Sequence, residues 1–228
     1  MPHMAEPLGL ELRDLVVEAG RGRRILALEA LDLAPGTALG VEGPSGAGKS
    51  TLIYALAGLI EGMRGRVAWG GTDIAGLRPG AAARFRSHHI GLIFQDFLLF
   101  DELGAAANAG VAALFSGRSR RGAIRVRAAE GLARLKVPAG ARTVASYSGG
   151  ERQRVAVARA LAHGPQAILA DEPTASLHRE AADALTDDLL ADVRDRGRSL
   201  VVASHDRRLL DRMDRRLRLV DGRLEGAA

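Results

Sequence analysis

One glycine-rich octapeptide carries an obvious chemical purpose: Gly43-Pro44-Ser45-Gly46-Ala47-Gly48-Lys49-Ser50, with Thr51 directly after it. Glycines at these spacings let successive backbone N–H groups turn inward and form an anion cradle. A helix N-terminus at the same place adds a partial positive charge of about half a unit. The ligand such a cradle suits is a nucleoside triphosphate. Lys49 is expected to reach the β- and γ-phosphates, Ser50 to ligate Mg²⁺ and Thr51 to bond the α-phosphate. The full pattern is present, with an apolar run before it and a helical pattern after it, which argues against a ligand-free glycine turn. Lys49 and Lys136 are the only lysines in a chain rich in arginine. A compact ammonium on a flexible stem is kept where a rigid guanidinium fork would not serve.

Three further groups bear on the same chemistry. Asp171-Glu172 follow the apolar run Ala167-Ile168-Leu169-Ala170. Carboxylates at the carboxyl end of a buried parallel strand sit where α/β sheets bind ligands. Asp171 is expected to hold Mg²⁺, through water, and Glu172 to act as general base on the water that attacks the γ-phosphate. A solvated strand end also carries acidic pairs; the intact phosphate loop favours the functional reading. Gln95 ends the run Ile90-Gly91-Leu92-Ile93-Phe94, and His205 follows Leu200-Val201-Val202-Ala203-Ser204. Taken alone, neither residue means more than a surface turn. Between the loop and the acidic pair lies Tyr147-Ser148-Gly149-Gly150-Glu151-Arg152-Gln153-Arg154.

The elements that must position these residues alternate. Leu8 to Leu12 and Leu26 to Leu33 read as half-buried antiparallel strands. Ala38 to Val41 is a short strand feeding the phosphate loop, and a helix follows from Lys49 to about Gly58. Arg66 to Trp69 is a strand closed by the Gly70-Gly71 turn. From Asp96 to about Ala145 apolar residues recur at helical spacing and strand signals vanish. Gly149 to His163 reads as a helix burying Val155, Val157, Ala158 and Leu161. The strand Ala167–Ala170, a helix from about Arg179 to Arg196, the strand Leu200–Ala203, a helix after His205 and the strand Leu217–Val220 complete a β/α order. The expected fold is therefore α/β: a P-loop core with a mostly parallel sheet, an N-terminal antiparallel β-subdomain and an inserted helical subdomain. The expected division of the single domain, 1–228, is 1–95 with 155–228 for the core and 96–154 for the helical part.

Composition removes whole classes of function. The absence of cysteine excludes disulfides, zinc-thiolate sites and thiol catalysis, and fits a reducing cytoplasm. No apolar run approaches the ~20 residues that span a bilayer. The first residues carry no secretory signal, and Met4 offers a second start. The net charge is +5, yet no aromatic-rich basic platform accompanies it, so no nucleic-acid partner is expected. Arg118, Arg120, Arg121, Arg125 and Arg127 read as a solvated loop and helix face, with anionic lipid headgroups as the alternative. His88-His89 reads as a surface pair without a third metal ligand.

Taken in order, these motifs resemble those of ATP-binding cassette (ABC) proteins, from Leu8 to about Gly222. The resemblance implies that Ser148, Gly149, Gly150 and Glu151 complete the ATP site of a second copy, giving a head-to-tail dimer with two composite sites. It also implies that Gln95 touches Mg²⁺ and the lytic water, and that His205 contacts the γ-phosphate. ATP binding would close the dimer and hydrolysis would open it, energising integral membrane permease subunits on separate chains. The chain would then lie in the cytoplasm, peripheral to the inner face of the membrane. The octapeptide with Thr51-Leu52, and Gln95 followed by Leu98-Leu99-Phe100, are similar to cassettes of the lipoprotein-release and macrolide-exporter type. A regulatory cassette that signals across a membrane without transport would share these residues. A soluble non-transport ATPase usually carries two cassettes or a long coiled-coil insertion. Three positions depart from the family: Tyr147 for leucine, Glu151 for glutamine and His178 for aspartate. The aromatic that usually stacks on adenine is also missing, since no aromatic precedes Tyr54, and alignment puts Ala19 there.

Overall fold

The computed structural model describes residues 7–140 and 142–225, so Met1 to Met4 lie outside the described residues. The first half runs β1 (Leu10–Ala19), β2 (Arg23–Leu33), β3 (Ala38–Glu42), α1 (Lys49–Leu56), β4 (Arg64–Trp69), β5 (Thr72–Asp73), α2 (Pro79–His89), β6 (Ile90–Ile93) and α3 (Ala105–Ala109). The second half runs α4 (Arg118–Arg134), α5 (Gly149–Ala162), β7 (Ala167–Asp171), α6 (Arg179–Arg196), β8 (Ser199–Ala203), α7 (Arg207–Leu210), β9 (Arg215–Val220) and β10 (Arg223–Glu225).

The runs that alternate in sequence form one antiparallel sheet, ordered β2-β1-β4-β5. Leu12 faces Leu31 and Leu15 faces Leu28 across β1 and β2, which puts these leucines on the buried face. The continuously apolar runs form the second sheet, ordered β10-β9-β3-β8-β7-β6. Its pairings are parallel except at β9-β10. Buried on both faces, β7 and β8 have no polar side to alternate. Leu39 pairs with Val201 and Asp171 with Ala203. That register brings the carboxyl ends of β3, β8 and β7 to one edge of the sheet.

Helix α1 buries Leu52, Ile53, Ala55 and Leu56. One apolar cluster joins it to Leu12, Leu15 and Val67 of the antiparallel sheet and to Leu39, Val41, Leu169 and Val201 of the parallel one. Trp69 closes the cluster, its indole N–H donating to the Leu56 carbonyl at 2.8 Å. A second cluster joins α4, α5 and α6 to Ile168, Ala170, Leu200 and Val202 on the other face. Helices α3, α4 and α5 lie between β6 and β7 in the chain.

Three elements depart from the pattern in the sequence. Helix α2 was not legible because it buries only Ala82. It is anchored instead by Arg86, whose guanidinium donates to the Gly58 carbonyl at 2.9 Å just beyond α1. Pro79 at its first turn was the one available signal. The helix after His205 is a single turn, α7. Strand β10 follows a tight hairpin turn in which Asp221 and Gly222 both have positive φ, 46° and 73°, a requirement that Asp-Gly meets.

The arginine run is only partly a solvated face. Arg127 donates to the Ala162 carbonyl at 2.7 Å and Arg120 to that of His163 at 3.3 Å. These are the orphan carbonyls at the end of α5, where cations are favoured. His163 sits beneath them, its Nε2 sealed from water without a partner. Burial, and next the repulsion from Arg120, push its pKa down to about 4. The unfolded chain takes up this proton near pH 6.5, and the fold resists it until about pH 4. Stability from this group is therefore complete above pH 6.5 and is lost as pH falls towards 4. Between pH 7 and 4.5 the native chain should lose about 2–3 kcal/mol more than a His163→Gln variant. Urea unfolding at the two pH values measures it, and equal losses would contradict the assignment.

Candidate functional site

The phosphate loop is forced into shape by what surrounds it. It leaves β3 and enters α1 through Gly48, whose φ of 99° only glycine adopts without strain. A Cβ on Gly43 would lie 2.2 Å from the Leu219 carbonyl oxygen, so β9 approaches too closely for any side chain. The Gly222 N–H donates to the Ala47 carbonyl at 3.1 Å, tying the β9-β10 turn to the loop. Lys49 folds back, its ammonium donating to the carbonyls of Gly43 at 2.8 Å and Pro44 at 3.1 Å.

The loop forms one wall of an open cleft of about 920 Å³. Gly43, Pro44, Ser45, Gly46, Gly48, Lys49, Ser50 and Thr51 line it, together with Gln95, Asp171, Glu172 and His205. Ala47 faces the core instead, 3% exposed. Residues distant in sequence thus meet because the parallel strands end together.

Asp171 is 1% exposed, and neither of its carboxylate oxygens has a well-aligned hydrogen bond, although the Ser50 hydroxyl and the Tyr54 phenol lie beside it. Burial raises its pKa, while the neighbouring Ser50 hydroxyl and Lys49 charge pull the other way. A buried carboxylate without well-aligned partners is costly, and a divalent cation beside Ser50 would satisfy it. Among the described residues no three His, Asp or Glu side chains are grouped to hold a metal by themselves. One carboxylate and one hydroxyl suit Mg²⁺, which keeps waters and takes substrate phosphate oxygens as its other ligands.

Glu172 adopts φ 48°, a left-handed conformation that is strained for this residue. Its N–H pairs with the Ala203 carbonyl at 2.8 Å. The turn sends its carboxylate across the end of β8. There Oε2 accepts from the Ser204 hydroxyl at 3.1 Å and the His205 N–H at 3.3 Å. The His205 ring Nδ1 lies 2.9 Å from the same oxygen, with the imidazole 73% exposed to the cleft. This arrangement can polarise a water, and its exposed imidazole can swing between the carboxylate and an incoming phosphate. The role of Ser204 was missed; a hydroxyl beside a candidate histidine was the available signal.

Ser148, Gly149, Gly150 and Glu151 are not in this cleft. Ser148 caps α5, its hydroxyl accepting from the Glu151 N–H at 3.2 Å. Glu151 returns the bond from the Ser148 N–H at 2.8 Å, completing a capping box. That N–H holds the Glu151 carboxyl below its ordinary range, so the side chain is already engaged. Gly149 is exposed and Gly150 half-buried, and both pack on the segment before α6: a Cβ on Gly150 would lie 3.2 Å from Leu177. His178 caps α6 without a side-chain bond.

At the far end of the cleft from the phosphate loop, Ala19 is not among the lining residues. Arg23, Arg24 and Ile25 line that end, with Asp221 and Gly222 opposite. No aromatic side chain lines the cleft.

The model of the family described as "ABC transporter" matches residues 29–175. The lipoprotein-releasing system ATP-binding protein LolD of Cereibacter sphaeroides is 42% identical over 97% of this chain and 100% of its own. The uncharacterized ABC transporter ATP-binding protein YbbA of Escherichia coli K12 is 37% identical over 96% and 97%. Two solved structures, each 29% identical over 95% of this chain and 96% of theirs, superpose closely. The dimeric cassette MJ0796 does so with a TM-score of 0.87. Its post-hydrolysis dimer bound to ADP and Pi gives 0.84.

The buried carboxylate of Asp171 yields a two-sided test. Asp171→Asn should raise the melting temperature of the nucleotide-free protein by about 2–4 °C, a gain on the order of 1 kcal/mol. The same variant should lose most of the Mg²⁺-dependent rise in melting temperature with nucleotide. Thermal melts with and without Mg²⁺ and ATP separate the two effects.

Proposed function

The chain belongs to the ABC transporter family of ATP-binding proteins, and from that membership we propose how its residues share the work. It binds ATP with Mg²⁺, hydrolyses it and acts as a self-dimer with membrane permease partners. In the proposed division Lys49 leaves the carbonyls of Gly43 and Pro44 for the β- and γ-phosphates. The N–H groups of the loop cradle those phosphates, and Thr51 holds the α-phosphate. Ser50, Asp171 and Gln95 hold Mg²⁺, which when bound neutralises charge on the β- and γ-oxygens.

Glu172 accepts the proton of the attacking water, and His205 leaves its carboxylate for the γ-phosphate. Ser148, Gly149 and Gly150 contribute to the partner's ATP through the exposed start of α5, while Glu151 keeps the cap in shape. The observation that carries this reading is the convergence of Lys49, Asp171, Glu172, Gln95 and His205 on one cleft. We further propose residues 96–154 as the helical unit and the rest as the core. Among the described residues no helix is long and apolar enough to cross a membrane. That supports a place on the cytoplasmic face beside the permease. The likeness to LolD supports a lipoprotein-release or related export role.

Glu172→Gln tests the role of the base. The variant should bind ATP as the native chain does, lose at least about 10²-fold in turnover and accumulate an ATP-bound dimer on gel filtration. Turnover near the native rate would remove Glu172 from that role.

The base end of the cleft predicts weak selectivity. Contacts to the triphosphate do not depend on the base, and an aromatic stack worth about 1–3 kcal/mol is missing. Dissociation constants for ATP and GTP should agree within about tenfold, or 1.4 kcal/mol. An ATP preference above about a hundredfold, near 2.7 kcal/mol, would reveal a specific adenine pocket.

A further inference from the structure

We propose that Arg159 is a positioning residue: it fastens the loop carrying Gln95 to the helix that presents Ser148. One side of the chain's own ATP cleft and the surface offered to its partner then move as one body. The inference rests on the roles proposed above for Gln95 and Ser148, and goes beyond them in naming the tie.

After β6 the chain passes Gln95 and Asp96 and turns through Phe97 and Leu98. Both have positive φ, 62° and 49°, and neither is glycine. Two successive left-handed residues of this kind persist only where their surroundings hold them. The holding group is Arg159 on α5. Its Nη2 donates to the Phe97 carbonyl at 2.6 Å and its Nη1 to the Leu98 carbonyl. A planar guanidinium spans two successive carbonyls, whereas an ammonium is a single point charge.

A second tie lies seven residues earlier on α5, two turns along the same face. Arg152 donates to the Asp101 carboxylate at 2.8 Å, with its guanidinium 5.8 Å from the centre of the Phe97 ring. Asn108 of α3, fully buried, secures the neighbouring backbone at Phe100. Its amide donates to the Phe100 carbonyl at 3.0 Å and its oxygen accepts from the Phe100 N–H at 2.8 Å. The segment from Phe97 to Asp101 is thus held by side chains of α5 and α3, and the Phe97 N–H also bonds the Phe94 carbonyl at 3.2 Å just after β6.

Helix α5 can carry a displacement without bending. Ser148 is its N-cap, and Arg159 lies eleven positions on, about 16 Å along the axis. Gln153 and the run Val155 to Ala158 are buried between the two, which keeps the helix stiff. A shift of Gln95 towards the γ-phosphate therefore displaces Phe97 and Leu98, the arginine fork and the capped serine together. Without the fork the left-handed pair relaxes, and Gln95 moves independently of Ser148.

Arg159→Lys, Gln95→Ala and Asp101→Asn test the proposal, each alone and combined with Glu172→Gln. Arg159→Lys should keep its melting temperature and bind ATP within about twofold of the native Kd, yet lose at least about tenfold in kcat. Combined with Glu172→Gln, it should fail to form the dimer at ATP concentrations that dimerise Glu172→Gln alone. Asp101 is exposed, so Asp101→Asn leaves the fold intact and should weaken dimerisation in the same direction. It decides the question if Arg159→Lys does not fold.

Native kcat and dimerisation in Arg159→Lys, beside an impaired Gln95→Ala, overturn the tie while leaving the role of Gln95 standing. Native turnover in Gln95→Ala removes the role and the proposal together. Loss of melting temperature and ATP affinity in step with kcat would show that Arg159 merely supports the fold. If Arg159→Lys fails to fold, native dimerisation in Asp101→Asn overturns the proposal.

Discussion

The constraint on which the rest depends is the buried carboxylate of Asp171, beside Ser50 and Lys49 at the end of a strand buried on both faces. A buried carboxyl either takes up a proton or needs a positive partner. The parallel register supplies the place. With β3, β7 and β8 ending together, the phosphate loop, the carboxylate pair and His205 share one edge. Sliding any one strand by a residue would turn its side chains to the opposite face and dissolve the cleft. The core geometry and the site chemistry are therefore one requirement, and the cavity beside Ser50 and Lys49 is its consequence.

Much of the site was legible because its chemistry demands particular residues at particular spacings. Glycines 43, 46 and 48, Lys49, Ser50 and the acidic pair each answer to a local need that a one-dimensional pattern records. Buried strands were legible as continuous apolar runs. The features that escaped depend on partners far away in sequence. Helix α2 carries almost no apolar face because Arg86 anchors it through the end of α1. The far end of the cleft is lined by Arg23, Arg24 and Ile25 with Asp221, which no pattern in the sequence marks. The β9-β10 turn is bonded between β2 and the loop, through Ala27 to Gly222 and Gly222 to Ala47. No spacing within β1 and β2 reveals a hairpin some two hundred residues on.

The partner's half of the work shapes the other end of the molecule. On the proposed role the start of α5 faces a second copy and must stay open, yet its N–H groups need acceptors. The capping box satisfies two of them, those of Ser148 and Glu151, and leaves Gly149 exposed. Glutamate at that position keeps its charge near the positive end of the α5 dipole, and the lowered pKa shows it is stabilised there. Tyr147 fits for a similar reason. Its ring is buried in the small cluster with Val144 and Val155, while Arg142 stacks 4.2 Å from its centre. Both departures from the usual signature therefore preserve the backbone shape that the motif exists to present.

One structural role recurs among the arginines. Guanidinium groups end helices and hold irregular backbone across this chain. Arg86 serves α1, Arg120 and Arg127 serve α5, Arg159 serves the Gln95 loop, and Arg215 donates to the Asp32 carbonyl at 2.6 Å. Each of these five directs its charge at carbonyl oxygens of the protein itself. Lys49 is the reverse case. It too donates to carbonyls, those of its own loop, but a compact ammonium on four methylenes can leave them for a phosphate and return. A guanidinium locked across two acceptors is the better clamp, and for that reason the worse gate.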